Sequence, residues 1–86
     1  MKKINLILIS TEGCAHCHRF KEFWKEAGKD WPEVTYKEID ATTPEAQPLL
    51  QKHMIMASPG IVINDELFAT GGFDEDAFLE KLKELS

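Results

Sequence analysis

Apolar and polar positions change rhythm several times along the chain, and each change marks an element. From Ile4 to Ile9 the residues are β-branched and almost continuously apolar, which predicts a central strand buried on both faces. Ser10-Thr11-Glu12-Gly13 is a short polar loop. From Cys14 to Ala27 the rhythm turns helical, with Cys17, Phe20, Phe23, Trp24 and Ala27 on one apolar face and Gly28 as a C-terminal stop. After a loop, Val34 to Ile39 forms a second, more polar strand that belongs at a sheet edge. Thr43 as N-cap and Pro44 at the first helical position open a second helix running to about His53, with Pro48 in its first turn. A loop from Met54 to Ser58 leads through Pro59 into a third strand, Gly60 to Ile63. Asn64-Asp65-Glu66 makes a hairpin turn into an antiparallel fourth strand, Leu67 to Thr70. Gly71-Gly72 breaks the chain, Asp74 caps, and Ala77 to Leu85 forms the last helix with Phe78, Leu82 and Leu85 inward.

The order is βαβ, then α, then a ββ hairpin, then α. Strands joined through a helix run parallel with a right-handed crossover, so the expected fold is α/β, a four-stranded mixed sheet with three helices. With 86 residues and no repeat or linker, the expectation is one domain over residues 1–86.

Composition narrows the function. Hydrophobic residues at 43% and charged residues at 29% exclude a disordered tail. A net charge of −5 argues against a nucleic-acid surface, which needs a basic excess. Residues 1–63 hold eight acids and eight bases, residues 64–86 seven acids and two bases, so the net charge sits in the last quarter. The longest apolar run, Leu6 to Ile9, has four residues against the roughly 20 a membrane span needs. Met1-Lys2-Lys3 has the look of a signal-peptide start, but the apolar stretch behind it ends at Ser10 without a cleavage site. The two cysteines, three positions apart, suit a reducing compartment in which a close pair does chemistry, so the expected location is cytoplasmic.

Cys14-Ala15-His16-Cys17 lies where the first strand hands over to the first helix. A thiolate at a helix N-terminus meets unpaired N–H groups and the positive end of the dipole, which lowers its pKa below the free value of about 8.5. Two intervening residues let the second sulfur reach the first within one turn, so a disulfide can close and open without unfolding anything. Cys14, at the helix tip, is the expected nucleophile and Cys17 the resolving thiol. His16 beside Cys14 is a candidate for redox tuning, favouring thiolate over disulfide. His18 and His53 are expected at the surface, and Met54 and Met56 in core or loop packing, with an exposed docking surface beside the site as the other reading.

These residues resemble the thioredoxin superfamily, and within it the small glutaredoxin-like proteins, over nearly the whole chain. The resemblance rests on Cys14-Ala15-His16-Cys17 followed by Arg19, on Ser58-Pro59 opening the third strand, and on Gly71-Gly72-Phe73-Asp74-Glu75. It implies a thioredoxin-like fold of the glutaredoxin type and dithiol–disulfide oxidoreductase activity on disulfide-containing client proteins. It implies a cis bond between Ser58 and Pro59, facing the cysteines, where a client segment pairs. It also implies substrate contacts from Ser58, Pro59, Gly72, Phe73 and Asp74, the last three being similar to the stretch that holds the glutathione glutamyl end. No bound cofactor is expected; glutathione as co-substrate or a thioredoxin-reductase-type enzyme supplies electrons to a monomer. The chain departs from the pattern in places. Ala15-His16 stands where glutaredoxins usually carry Pro-Tyr, and Ser10-Thr11-Glu12 where they carry a lysine. The apolar Leu6 to Ile9 has no counterpart of the buried acid of thioredoxins. Two other readings use the same residues: a metal or iron–sulfur binding module through Cys14 and Cys17, and c-type haem attachment at Cys14-Ala15-His16-Cys17-His18.

Overall fold

Strand β1 (Ile4–Ser10) runs through the middle of a four-stranded sheet of order β2-β1-β3-β4. This is a computed structural model describing residues 3–86, so Met1 and Lys2 of the charged start lie outside the described residues. β1 pairs in parallel with β2 (Val34–Asp40), from Ile4 opposite Val34 to Ser10 opposite Asp40. On its other side it pairs antiparallel with β3 (Gly60–Ile63), from Leu6 opposite Ile63 to Ile9 opposite Gly60. β3 pairs antiparallel with β4 (Glu66–Thr70), where Phe68 forms a bulge between the partners of Ile61 and Val62. β2 is an edge strand, as its polarity predicts.

The period of two along β1 divides the core. Ile4, Leu6 and Leu8, with Ile61 and Ile63, face helices α1 (Ala15–Ala27) and α3 (Glu75–Leu85), where Phe20, Trp24, Phe78 and Leu82 complete the larger cluster. Phe78 is its hub, meeting Phe20, Trp24 and Phe68 edge-on at 5.2, 5.7 and 5.6 Å. Ile9 faces the opposite way, onto Ile39, Ala46 and the short helix α2 (Gln47–Lys52). α2 covers only one end of that face, which leaves Asn5 exposed at the other.

Local chemistry explains where the sequence pattern and the elements differ. The second helix is split: Pro44–Ala46 form one 3₁₀ turn before α2 begins. Pro48 has no N–H to offer the carbonyl of Pro44, and the N–H of Gln47 takes that carbonyl instead. Thr43 precedes the turn but makes no side-chain cap; its hydroxyl donates to the carbonyl of Asp40, while the Asp40 carboxylate accepts from the N–H and hydroxyl of Thr42. Gly28 does not stop α1 in a left-handed conformation. Its φ is −62°, and the chain continues through a 3₁₀ turn, Gly28–Asp30. A Cβ there would lie 3.0 Å from the Trp24 indole, so the glycine makes room for a ring. α3 starts at Glu75, two residues before the apolar pattern, because Asp74 accepts the N–H of Ala77 at 3.0 Å.

The β3–β4 turn has positive φ at both Asn64 and Asp65, the geometry of a two-residue hairpin. His53 is a correction to the expected surface histidine: its side chain is only 7% exposed, under the hairpin, with Nε2 3.7 Å from the Asp65 carboxylate. Met54 and Met56 depart the other way, at 79% and 94% exposed.

Candidate active site

At the end of β1 the chain leaves the sheet through Thr11, Glu12 and Gly13. Gly13 has a φ of +77°, which lets the loop turn sharply into the helix. Cys14 then sits in extended conformation as the N-cap of α1, and its Sγ accepts the N–H of Cys17 at 3.1 Å. The two cysteines form a disulfide with Cα atoms 5.2 Å apart. Cys14 is half-buried at the mouth of a groove, whereas Cys17 is 1% exposed. Thr11, Glu12, Cys14, Cys17, His18 and Lys21 line that groove.

Antiparallel pairing of β1 with β3 brings the second predicted element to the same end. Ile9 lies opposite Gly60, so the loop after β1 meets the residues before β3. The Ser58–Pro59 bond is cis, Pro59 is fully buried, and the hydroxyls of Thr11 and Ser58 share a hydrogen bond of 2.8 Å. Beyond Ser58 an apolar cleft of about 180 Å³ opens, lined by Ile9, Ala41, Leu50, Ile55 and the exposed Met56.

The third element is tied to both others. The N–H of Gly71 donates to the carbonyl of Pro59 at 2.9 Å, and the Thr70 hydroxyl donates to the carbonyl of Ala57 at 2.7 Å. From α1, Arg19 donates to the carbonyl of Phe73 at 3.1 Å and lies over its ring, 4.9 Å from the centroid. The Phe73 ring packs edge-on against Phe20 at 4.9 Å. Gly72 is half-buried between these anchors, and Asp74 is occupied as the cap of α3. His16 is exposed on α1, with no hydrogen-bond partner among the described residues. His18 is exposed beside Glu22, at 3.8 Å.

One cluster next to the groove is absent from the sequence reading. Ser10, 6% exposed, donates its hydroxyl to Oε2 of Glu38 at 2.8 Å, and Lys21 donates to the same oxygen at 3.1 Å. These bonds hold the Glu38 carboxyl below its ordinary value, the Ser10 hydroxyl most strongly, against burial and the neighbouring Asp40. A polar residue closing an apolar strand and a lysine one turn after Cys17 were the available signals.

No group of three or more His, Cys, Asp or Glu side chains among the described residues is disposed to hold a metal ion. No helix among them is long and apolar enough to cross a membrane.

Comparison with known proteins agrees with this geometry. The family model for the thioredoxin domain matches residues 2–84. A thioredoxin of Methanocaldococcus jannaschii is 28% identical over 83 residues, covering 96% of each chain. Among solved structures, Fasciola hepatica thioredoxin superposes with a TM-score of 0.76 at 18% identity, over 98% of this chain and 82% of that one. A chain from the complex of ferredoxin:thioredoxin reductase with thioredoxin f2 gives 0.73 at 19% identity, over 99% and 80%. The fold is thioredoxin-like.

Proposed function

The chain belongs to the thioredoxin family of thiol–disulfide oxidoreductases, and we propose that it reduces disulfides of client proteins with Cys14 attacking and Cys17 resolving. The carrying observation is the asymmetry of the pair. Cys14 caps the helix, reaches the groove and receives an N–H, while Cys17 is buried behind it. In the reduced protein the Cys14 thiolate attacks one sulfur of the client disulfide, and the other client sulfur leaves as thiolate and takes a proton from water. Cys17 then gives up its proton, attacks Sγ of Cys14 and expels the second client sulfur. The two electrons gained by the client are those lost in forming the Cys14–Cys17 bond.

An extended client segment pairs with the backbone at Ser58, beside Pro59, as an added strand. Gly72, Phe73 and Asp74 are assigned to substrate contact as well; Phe73 and Asp74 line a separate groove beside Arg19. His16, two residues from Cys14, supports the thiolate.

For the electron source we favour a thioredoxin-reductase-type enzyme over glutathione. Arg19 is engaged by Phe73 and Lys21 by Glu38, and Glu12 stands in the loop before the motif, which makes a poor cradle for the glutathione carboxylates. A chain similar to this one comes from a complex of ferredoxin:thioredoxin reductase with thioredoxin f2. We place the protein in the cytoplasm, acting as a monomer.

The test is reduction of insulin disulfides with electrons supplied either by NADPH and thioredoxin reductase or by glutathione. Turnover is expected from the reductase system and to disappear in Cys14→Ser. Full activity of Cys14→Ser overturns the assignment, and turnover with glutathione alone overturns the choice of donor.

A further inference from the structure

Cys17 has to lose a proton in a place where burial opposes the charge. It is 1% exposed, so an ionised sulfur there has little water around it. The groups that bear on it can be named element by element. Glu12 comes from the preceding loop, His18 and Lys21 from α1, and Glu38 from β2 stands behind Lys21. Glu12 is exposed and of the wrong sign, and His18 is exposed beside Glu22. Lys21 differs from both. It follows Cys17 by four residues, which puts the two side chains on one helix face about 5–6 Å apart at Cβ. Both line one groove, and from the neighbouring strand Glu38, itself held by Ser10, binds the Lys21 ammonium.

Resting on the oxidoreductase reading above, we propose that Lys21 is the electrostatic support of the resolving step, stabilising the Cys17 thiolate, and that the Ser10–Glu38 pair positions and tempers its charge. The step is the second half of the exchange. Cys17 releases its proton to water, its thiolate attacks Sγ of Cys14, the bond from Cys14 to the client sulfur breaks, and the client thiolate takes a proton from water. Lys21 acts chiefly on the charge that forms at Cys17, four residues before it on the same helix face, whereas the Cys14 thiolate is already stabilised at the N-cap by the N–H of Cys17.

The two charged partners therefore have opposite signs of effect, which no loss of packing reproduces. Lys21→Met removes the cation. Glu38→Gln keeps the hydrogen-bonding shape and frees the cation from its counter-charge. Lys21→Arg keeps the charge.

The experiment is stopped-flow reaction of the reduced protein with 5,5′-dithiobis(2-nitrobenzoate) across pH. The first thionitrobenzoate released reports attack by Cys14, and the second reports displacement by Cys17. Near neutral pH, Lys21→Met is expected to slow the second phase about threefold and move its pH midpoint up, with the first phase changed less. Glu38→Gln is expected to quicken the second phase and move the midpoint down. Lys21→Arg is expected to follow the wild type, and added salt to shrink the differences. An unchanged second phase in Lys21→Met, or shifts of the same sign in Lys21→Met and Glu38→Gln, overturns the role of Lys21. Absence of the first phase in the wild type instead overturns the assignment of Cys14, so the two failures are distinct.

Discussion

The backbone N–H of Cys17 points at the sulfur of Cys14 from 3.1 Å, so the buried cysteine solvates the accessible one. An N–H at the first turn of a helix stabilises a thiolate at the N-cap, and Cys14 is the more accessible of the two. Brief alkylation of the reduced protein with iodoacetamide at pH 7 should label Cys14 and spare Cys17, as mass spectrometry of the peptides reads directly. Cys17→Ser should accumulate mixed disulfides with clients, since attack survives and release does not. Equal labelling of both cysteines contradicts the division of labour.

His16 gives a second prediction. If it acts as proposed on the Cys14 thiolate, replacing it by proline should lower the reduction potential by roughly 30 mV, about 1.4 kcal/mol for two electrons. Equilibration against glutathione at fixed pH measures it. Identical potentials for wild type and His16→Pro would make the exposed imidazole a bystander.

Arg19 and Phe73 brace the cysteine helix against the loop after β4 through one hydrogen bond and one cation–π contact. Both are near the surface, so Arg19→Ala should cost about 1 kcal/mol by urea unfolding. Arg19→Lys should recover part of it, because a cation over the ring remains. A change indistinguishable from zero would show that solvent replaces both contacts without loss.

Gly28 tests packing against propensity. Alanine gains about 1 kcal/mol of helix propensity, and the backbone there is already helical. Its Cβ, however, meets the Trp24 ring at 3.0 Å, and Phe78 and Tyr36 confine that ring on other sides. Gly28→Ala should be net destabilising by about 1 kcal/mol, with a shifted tryptophan emission maximum. A rise in melting temperature would mean the indole moves freely.

Stability should fall at both ends of the pH scale. Glu38 is held low mainly by Ser10, Asp40 by Thr42 and Asp65 by Lys52. A carboxylate with a lowered folded value contributes stability above its unfolded value, about 4, and loses it as pH drops through the folded one. Tyr36 goes the other way, pushed up to about 12 by burial and by Glu38. Between about pH 10 and 12 the folded protein keeps a proton that the unfolded chain has lost, so stability declines as pH rises. The Tyr36 hydroxyl is buried with no hydrogen-bond partner among the described residues, so Tyr36→Phe should cost little at pH 7 and remove most of the alkaline decline. Urea midpoints of the oxidised protein at pH 3, 7 and 11 check both limbs.

Much of this architecture is legible in single residues. The apolar run from Ile4 marks the central strand, the spacing from Cys17 to Trp24 gives the buried face of α1, and the family resemblance at Ser58-Pro59 implies the cis bond. What escapes depends on register between distant strands. Nothing in Ser10 or Glu38 alone announces that they meet across 28 residues; the parallel alignment of β1 with β2 does that. His53 misleads for the same reason, since the hairpin that covers it comes later in the chain. Arg19 is visible as a cation near the motif, but not as one already taken by Phe73.

Far from the cysteines, Asn5 and Asn64 hold each other twice: the N–H of Asn5 donates to the Asn64 side-chain oxygen, and the N–H of Asn64 to the carbonyl of Asn5, both at 2.8 Å. This clasp lies at the opposite end of β1 from Ser10, about 17 Å along the strand. Because β1 and β3 are rigid rulers laid side by side, pinning one end calibrates the other, and the meeting of Thr11 with Ser58 depends on that calibration. The hairpin tip is thus a tuning peg rather than a spare loop. Grafting a peptide between Asn64 and Asp65 is expected to loosen the Thr11–Ser58 contact at the far end of the same register, although no inserted atom comes near it.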